Sequence, residues 1–272
     1  MQTAVYQQRL GLKNSFIRIV HSDAMVSTVY KVIRGDCQLI LKVCLKPSHY
    51  FRELYFLNLF AQRLPTPKVI DVVPPEKNLH GAILMQYLPG ALLRVEDLSE
   101  VLSYELGVLL AHVHSNNAIG YGDPLYPENL SPDPIGYFAA KFEESLSECK
   151  ENLPKKMLEK CRAYYDSHVK LLALGDGPCV VHRDFRPGNL IIHEGKSKGL
   201  IDWCSARFGF AQEDFEWPMK MLYKETFFSG YKSIRPLPDC AAVMPLLQIS
   251  HALAVVGFIV RENTWQSVHS CV

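Results

Sequence analysis

The first third of the chain alternates apolar and polar residues with a period near two. Three strands follow from that pattern, over 16–20, 29–33 and 38–44, the last two joined by the hairpin signal Arg34-Gly35-Asp36. In the third strand Leu39, Leu41 and Val43 share one face, and Ile40, Lys42 and Cys44 the other. The period then lengthens to that of a helix over about 50–64, stopped by Pro65 and Pro67. Two further strands are predicted over 68–73 and 82–87. From Asp97 the spacing of Leu98, Val101, Leu102, Leu106, Leu109, Leu110 and Val113 is helical, with Asp97 and Glu100 fitting a capping box. A Gly-, Pro-, Asn- and Asp-rich loop over 116–134 leads to a second helical region, about 135–174. Its alternating charges, Lys141 to Glu151, read as a solvated face. Short apolar runs at 180–181, 190–192 and 200–201 then predict strand, loop, strand, tight turn (194–198) and strand. Residues 241–260 carry no Asp, Glu, Lys or Arg, but Pro245, Gln248, Ser250 and His251 favour a buried core helix over a membrane span.

Composition narrows the class. A chain of 272 residues can bury a good core, as one large domain or two smaller lobes. A net charge of +1 implies no nucleic-acid partner. Eight cysteines without a C-x-x-C grouping, several in apolar segments (Cys44, Cys179, Cys240), point to a reducing compartment with no disulfide framework and no zinc site. The start M-Q-T-A-V-Y-Q-Q-R-L lacks the pattern of a signal peptide, so a cytoplasmic location and no membrane partner are expected. There is no repeat or low-complexity segment.

The chemistry concentrates in C-V-V-H-R-D-F-R-P-G-N-L-I-I-H and the L-I-D-W that follows it. Asp184, Asn189 and Asp202 are polar residues in an apolar frame: the first two share a loop, and the third ends the next strand. Any one of them alone suits a turn or a cap. Together they suit phosphoryl transfer, which needs positioning and Mg²⁺ more than covalent help. Asn189 and Asp202 offer the few oxygens Mg²⁺ takes from a protein, and Asp184 would accept or orient the proton of an attacking hydroxyl. His182 reads as a packed, hydrogen-bonded histidine. Lys42, inside an apolar strand, needs a partner or an anionic ligand, and Glu53 on the next helix is the natural partner. A snorkelling Lys42, or Lys46 in its place, is the other reading.

H-R-D-F-R-P-G-N-L followed by L-I-D-W resembles the aminoglycoside phosphotransferase and choline kinase family, whose fold is related to protein kinases. The resemblance implies an α+β, two-lobed, protein-kinase-like fold: a small antiparallel-sheet lobe over 1–85, a hinge over 86–92, and a larger, mostly helical lobe over 93–272. It implies a phosphotransferase moving the γ-phosphoryl group of ATP (or GTP) to a hydroxyl of a small-molecule acceptor. Asp184 would be the base, Asn189 and Asp202 the Mg²⁺ ligands, and Lys42 with Glu53 the phosphate-holding pair. Asp214 would be a structural acid. Q-Y-L-P-G resembles the hinge, with Gln86 and Leu88 as backbone contacts to the nucleotide, although an ordinary Pro-Gly turn fits the same residues. By position, Ser27 and Thr28 would face its phosphates.

The departures matter. The phosphate-covering loop, 21–28, has no glycine, and neither D-F-G nor A-P-E is present, against a typical protein kinase. A protein kinase and a catalytically silent binding protein remain the alternatives, with an antibiotic kinase as the third. Position 183 is usually small in aminoglycoside enzymes. Arg183 and Arg186 beside the base suit an anionic substrate, or Arg183 pairs internally. From Trp203 onward acids are matched by bases, giving no acidic pocket for a polycation.

Overall fold

The computed structural model describes residues 3–21 and 26–261. A short helix, α1 (Thr3–Arg9), precedes β1 (Phe16–His21), β2 (Ser27–Arg34) and β3 (Cys37–Cys44). Then come α2 (Pro47–Phe60), β4 (Val69–Val73), β5 (Gly81–Gln86), β6 (Ala91–Leu92) and α3 (Glu100–His114). They are followed by α4 (Pro134–Glu148), α5 (Lys155–His168), β7 (Cys179–Val181), β8 (Leu190–His193), β9 (Lys196–Leu200), β10 (Arg207–Gly209), α6 (Lys224–Lys232) and α7 (Met244–Arg261). The fold is α+β and kinase-like. By compactness it groups into two units. One holds residues 1–115, 182–207 and 217–236, and the other 116–181, 208–216 and 237–272.

The first unit is built on an antiparallel sheet of order β1-β2-β3-β5-β4. Val32, Leu41, Val43, Val73, Ala82 and Leu84 bury one of its faces, joined by Tyr6, Leu10 and Leu12. Helix α1 was not foreseen; its signal is Tyr6 and Leu10 one turn apart, with the Tyr6 hydroxyl donating to His80 O at 2.9 Å. Helix α2 buries Tyr50, Glu53, Phe56, Leu57 and Phe60, a stripe at helical spacing. It starts three residues earlier than predicted because Pro47 is suited to the first turn, where its missing N–H costs nothing. Phe56 and Phe60 lie against the Trp203 ring, with centroids 6.0 and 4.8 Å away. The residue 86–92 segment joins the β6-β8-β9 sheet through β6, and Gly90 makes the approach to β8 possible: at φ +130°, a Cβ there would sit 2.3 Å from Ile192 O. These contacts and the Lys42–Asp202 ion pair are why this unit spans the boundary placed after residue 85.

The cap of α3 is a correction. Its N-cap is Ser99, whose Oγ accepts from Leu102 N at 3.2 Å, while Asp97 is held by Arg94 Nε and Nη2 at 2.7 and 2.8 Å. His114, in the last turn of α3, is fully buried with Nδ1 2.9 Å from the Tyr231 hydroxyl. In the second unit, α4, α5 and α7 enclose a core that includes Phe138, Phe142, Tyr165, Phe210 and Leu253. Phe142 stacks on Tyr165 and Phe138 on Phe210, at 3.8 and 4.3 Å. No helix of the described residues is long and apolar enough to cross a membrane.

Candidate active site

Lys42 is placed by strand register. It faces Val29 on β2 and Ile83 on β5, in the centre of the sheet, and is 5% exposed. Its ammonium donates to Glu53 Oε2 at 2.8 Å and to Asp202 Oδ1 at 2.9 Å. Glu53 reaches it because it lies on the buried stripe of α2, one turn before Phe56 and Leu57. Burial opposes the charge on Lys42, but the two carboxylates win and hold its pKa well above the ordinary value. Burial also raises the Glu53 carboxyl, with Asp202 adding repulsion against the pull of Lys42. For Asp202 burial works the same way, yet Lys42 and the Cys204 thiol outweigh it and hold the acid well below the usual carboxylate range. Lys46 is the N-cap residue of α2.

Asp202 takes a left-handed backbone conformation, φ 65° and ψ 67°. What fixes it there is its neighbours: Trp203 Nε1 donates to Leu200 O at 3.1 Å, and Ile201 N donates to Asn189 O at 3.0 Å. His182, fully buried and edge-on to Trp203, completes the frame. Asp184 N donates to His182 Nδ1 at 3.3 Å, so Nδ1 is the acceptor and Nε2–H donates to Ile201 O at 3.1 Å. That fixes a neutral tautomer and ties the loop of Asp184 to the strand of Asp202.

Asp184 and Asn189 meet directly. Asn189 Nδ2 donates to Asp184 O at 2.8 Å and to its Oδ2 at 2.6 Å, while Arg186 Nε donates to Oδ1 at 2.7 Å. With its nitrogen committed, Asn189 has its amide oxygen left as an acceptor. An ionised Asp202 and that oxygen are hard donors of the kind Mg²⁺ takes, so the residues fit the ion. Cys204, which sequence reasoning missed, also lies here: polar atoms of Glu53, Asp202 and Cys204 fall within 4.8 Å of one another. Lys42 already supplies the positive charge between the carboxylates. Burial, with Asp202 and Glu53 adding to it against Lys42, raises the thiol pKa and keeps Cys204 protonated, a poor ligand for a hard cation.

The remaining predicted residues are placed as follows. Ser27 and Thr28 are the first rungs of β2, opposite Cys44 and Val43; residues 22–25 of the proposed phosphate loop lie outside the described residues. Gln86 N donates to Lys68 O at 2.9 Å, and Gln86 pairs with Leu39 at the end of β5. Leu88 packs so closely over Gly199 that a Cβ there would lie 2.4 Å from Leu88 Cδ1. Asp214 is buried in a 3₁₀ turn (Ala211–Asp214) of the second unit. Arg183 holds φ 64°, a conformation that costs a non-glycine residue about 1 kcal/mol.

Among solved structures, aminoglycoside phosphotransferase APH(4)-Ia, as a thermostable mutant in a ternary complex with AMP-PNP and hygromycin B, superimposes with a TM-score of 0.71. That match has 15% identity and covers 96% of this chain and 92% of that one. The gentamicin–APH(2")-IIa complex gives 0.71 at 16% identity, covering 98% and 93%. The streptomycin–ATP–APH(2")-IIa ternary complex gives 0.67 at 18% identity, covering 97% and 96%. No curated protein matches the chain in sequence. The family model described as "Phosphotransferase enzyme family" matches residues 17–228, a span that includes every residue of the Lys42–Glu53–Asp202 and Asp184–Arg186–Asn189 groups. The chain therefore belongs to the phosphotransferase enzyme family and is an enzyme of that class.

Proposed function

We propose that this chain transfers the γ-phosphoryl group of ATP to a hydroxyl of a small molecule. The observation that carries the reading is the convergence of Lys42, held between Glu53 and Asp202, with the Asp184–Asn189 pair that His182 fastens to the same frame. In this reading residues 1–85 bind the nucleotide, 86–92 form the hinge, and 93–272 carry the catalytic loop and the acceptor pocket. Lys42 holds the α- and β-phosphates, and Glu53 fixes its direction. Gln86 and Leu88 present backbone groups to the base, and Ser27 and Thr28 flank the phosphates. Asp202 and Asn189 would hold Mg²⁺, which when bound supplies positive charge for the phosphate oxygens. Asp184 orients the acceptor hydroxyl and takes its proton as the O–P bond forms, the electron pair of the breaking bond leaving with ADP.

A second reading, an aminoglycoside kinase, is favoured by neighbours whose structures hold hygromycin B, gentamicin and streptomycin. Both readings make the same first test: ADP release with Mg²⁺-ATP over a panel of aminoglycosides, amino alcohols, hydroxy acids, sugars and nucleosides. We expect turnover with at least one acceptor and a loss of 10²- to 10⁴-fold in Asp184→Ala. Turnover that survives Asp184→Ala would remove Asp184 from the mechanism.

A further inference from the structure

The base is not bare. Asp184 Oδ1 accepts from Arg186 Nε, and this ion pair stands beside the position where the acceptor hydroxyl must come. The local sequence builds it. Pro187 forces the residue before it into extended backbone, and Arg186 sits at φ −154°, ψ 166°. Gly188 leaves the space its guanidinium uses: a Cβ at 188 would lie 2.6 Å from Arg186 Nη1. With Nε spent on Asp184, the two terminal nitrogens of Arg186 have no protein partner among the described residues, and the side chain is 57% exposed. Arg183, earlier in the H-R-D-F-R turn, holds a left-handed backbone conformation.

We propose that the acceptor is an anionic hydroxyl compound, with a carboxylate or phosphate group next to the reacting hydroxyl that the terminal nitrogens of Arg186 hold in bidentate fashion. The inference rests on the kinase reading above and names its substrate class. A polycation would meet a guanidinium at the place where it must present its hydroxyl, whereas an anion gains a charge-assisted pair there. Arg186 thereby becomes a specificity-determining residue, with Nε steadying the base and the fork choosing the substrate.

The test compares matched acceptors in the full-length protein: glycerate against its methyl ester, and glycerol 3-phosphate against glycerol. The first pair reads a carboxylate and the second a phosphate. The charged member of at least one pair is expected to have the higher kcat/KM, and Arg186→Ala should shrink that ratio by about 10- to 100-fold, chiefly through KM. Gly188→Ala, which keeps the guanidinium but crowds its fork, should shrink it partially. Binding of inorganic phosphate to the Mg-ADP-loaded protein, followed by calorimetry, needs no turnover; it should weaken at least tenfold in Arg186→Ala. The proposal is overturned if both ratios are unchanged in Arg186→Ala, if a polycationic aminoglycoside is the preferred acceptor, or if phosphate binds Arg186→Ala as well as wild type. It is also overturned if Arg186→Ala lowers kcat equally for charged and neutral acceptors, since the guanidinium would then serve the phosphoryl group in flight. Absence of ADP release with every acceptor, alongside intact phosphate binding through Arg186, would instead reject the kinase reading.

Discussion

Replacing Lys42 by methionine isolates the electrostatics of the site. The side chains of Lys42 and Glu53 are 6% and 2% exposed and that of Asp202 29%, so solvent screens little of the interaction. Methionine keeps the length and the apolar stem but strands two facing carboxylates. Removing one partner from a buried ion pair costs about 3–5 kcal/mol, most of it for the uncompensated charge left behind. For 272 residues, with an unfolding entropy of about 2.1 cal/mol/K per residue, that lowers Tm by roughly 5–9 °C. The pH dependence carries the sign. In the wild type Asp202 has a depressed pKa, so its contribution is present above the unfolded value of about 3.9 and is lost only as pH falls further. In Lys42→Met the cation that draws both acids down is gone. Their folded pKa values rise above the unfolded ones, and the deficit present at pH 7 shrinks as protons bind on the way to pH 5. Differential scanning fluorimetry at pH 7.5 and pH 5, without nucleotide or Mg²⁺, reads both effects. A loss under 2 °C at pH 7.5, or a deficit that grows on acidification, would refute the assignment of Lys42 as the cation that both carboxylates require.

Three other outcomes are expected. Asp202→Asn should weaken Mg²⁺-dependent nucleotide binding at least tenfold by calorimetry, since the amide removes the charged oxygen donor and the second partner of Lys42. Ser99→Ala should cost about 1 kcal/mol in urea unfolding through loss of the cap on Leu102 N, with kcat unchanged. Gly90→Ala should destabilise by more than 2 kcal/mol, because φ +130° and the 2.3 Å approach to Ile192 O both exclude a Cβ.

Some of this was legible in the sequence and some was not. The strands of the first sheet follow from alternation, and their observed bounds differ from the predicted ones by at most two residues. The partnership of Lys42 with Glu53 was readable because a lysine on so apolar a strand must meet an anion, and the next helix offered one on its apolar stripe. Asp202 as a second partner of the same lysine was not, because the two lie 160 residues apart in sequence and no local pattern reports such a meeting. The α3 cap was misread because Asp97-Glu100 and Ser99 compete as capping signals, and Arg94 resolves the competition by taking Asp97. The tautomer of His182 depends on Asp184 N and Ile201 O, which only the fold brings to its two nitrogens. Arg186 was noticed as a basic neighbour of the base, but its grip on Asp184 Oδ1 depends on the space over Gly188, which three-dimensional structure alone reveals.

The Lys42 clasp sets one cation against two carboxylates, a surplus of one negative charge within the clasp, and the proposed kinase reading brings the nucleotide to it. A triphosphate on its own would be repelled by that surplus. A divalent ion on its own would be drawn to Asp202 but would have to compete with Lys42 for its Oδ1. Brought together, they complete each other: the ion offsets the surplus, and the phosphates give Lys42 a new partner as the ion takes its old one. In that reading nucleotide and metal affinities are linked, each rising in the presence of the other by the same factor. The site would thus favour the cation–nucleotide pair over either component in isolation.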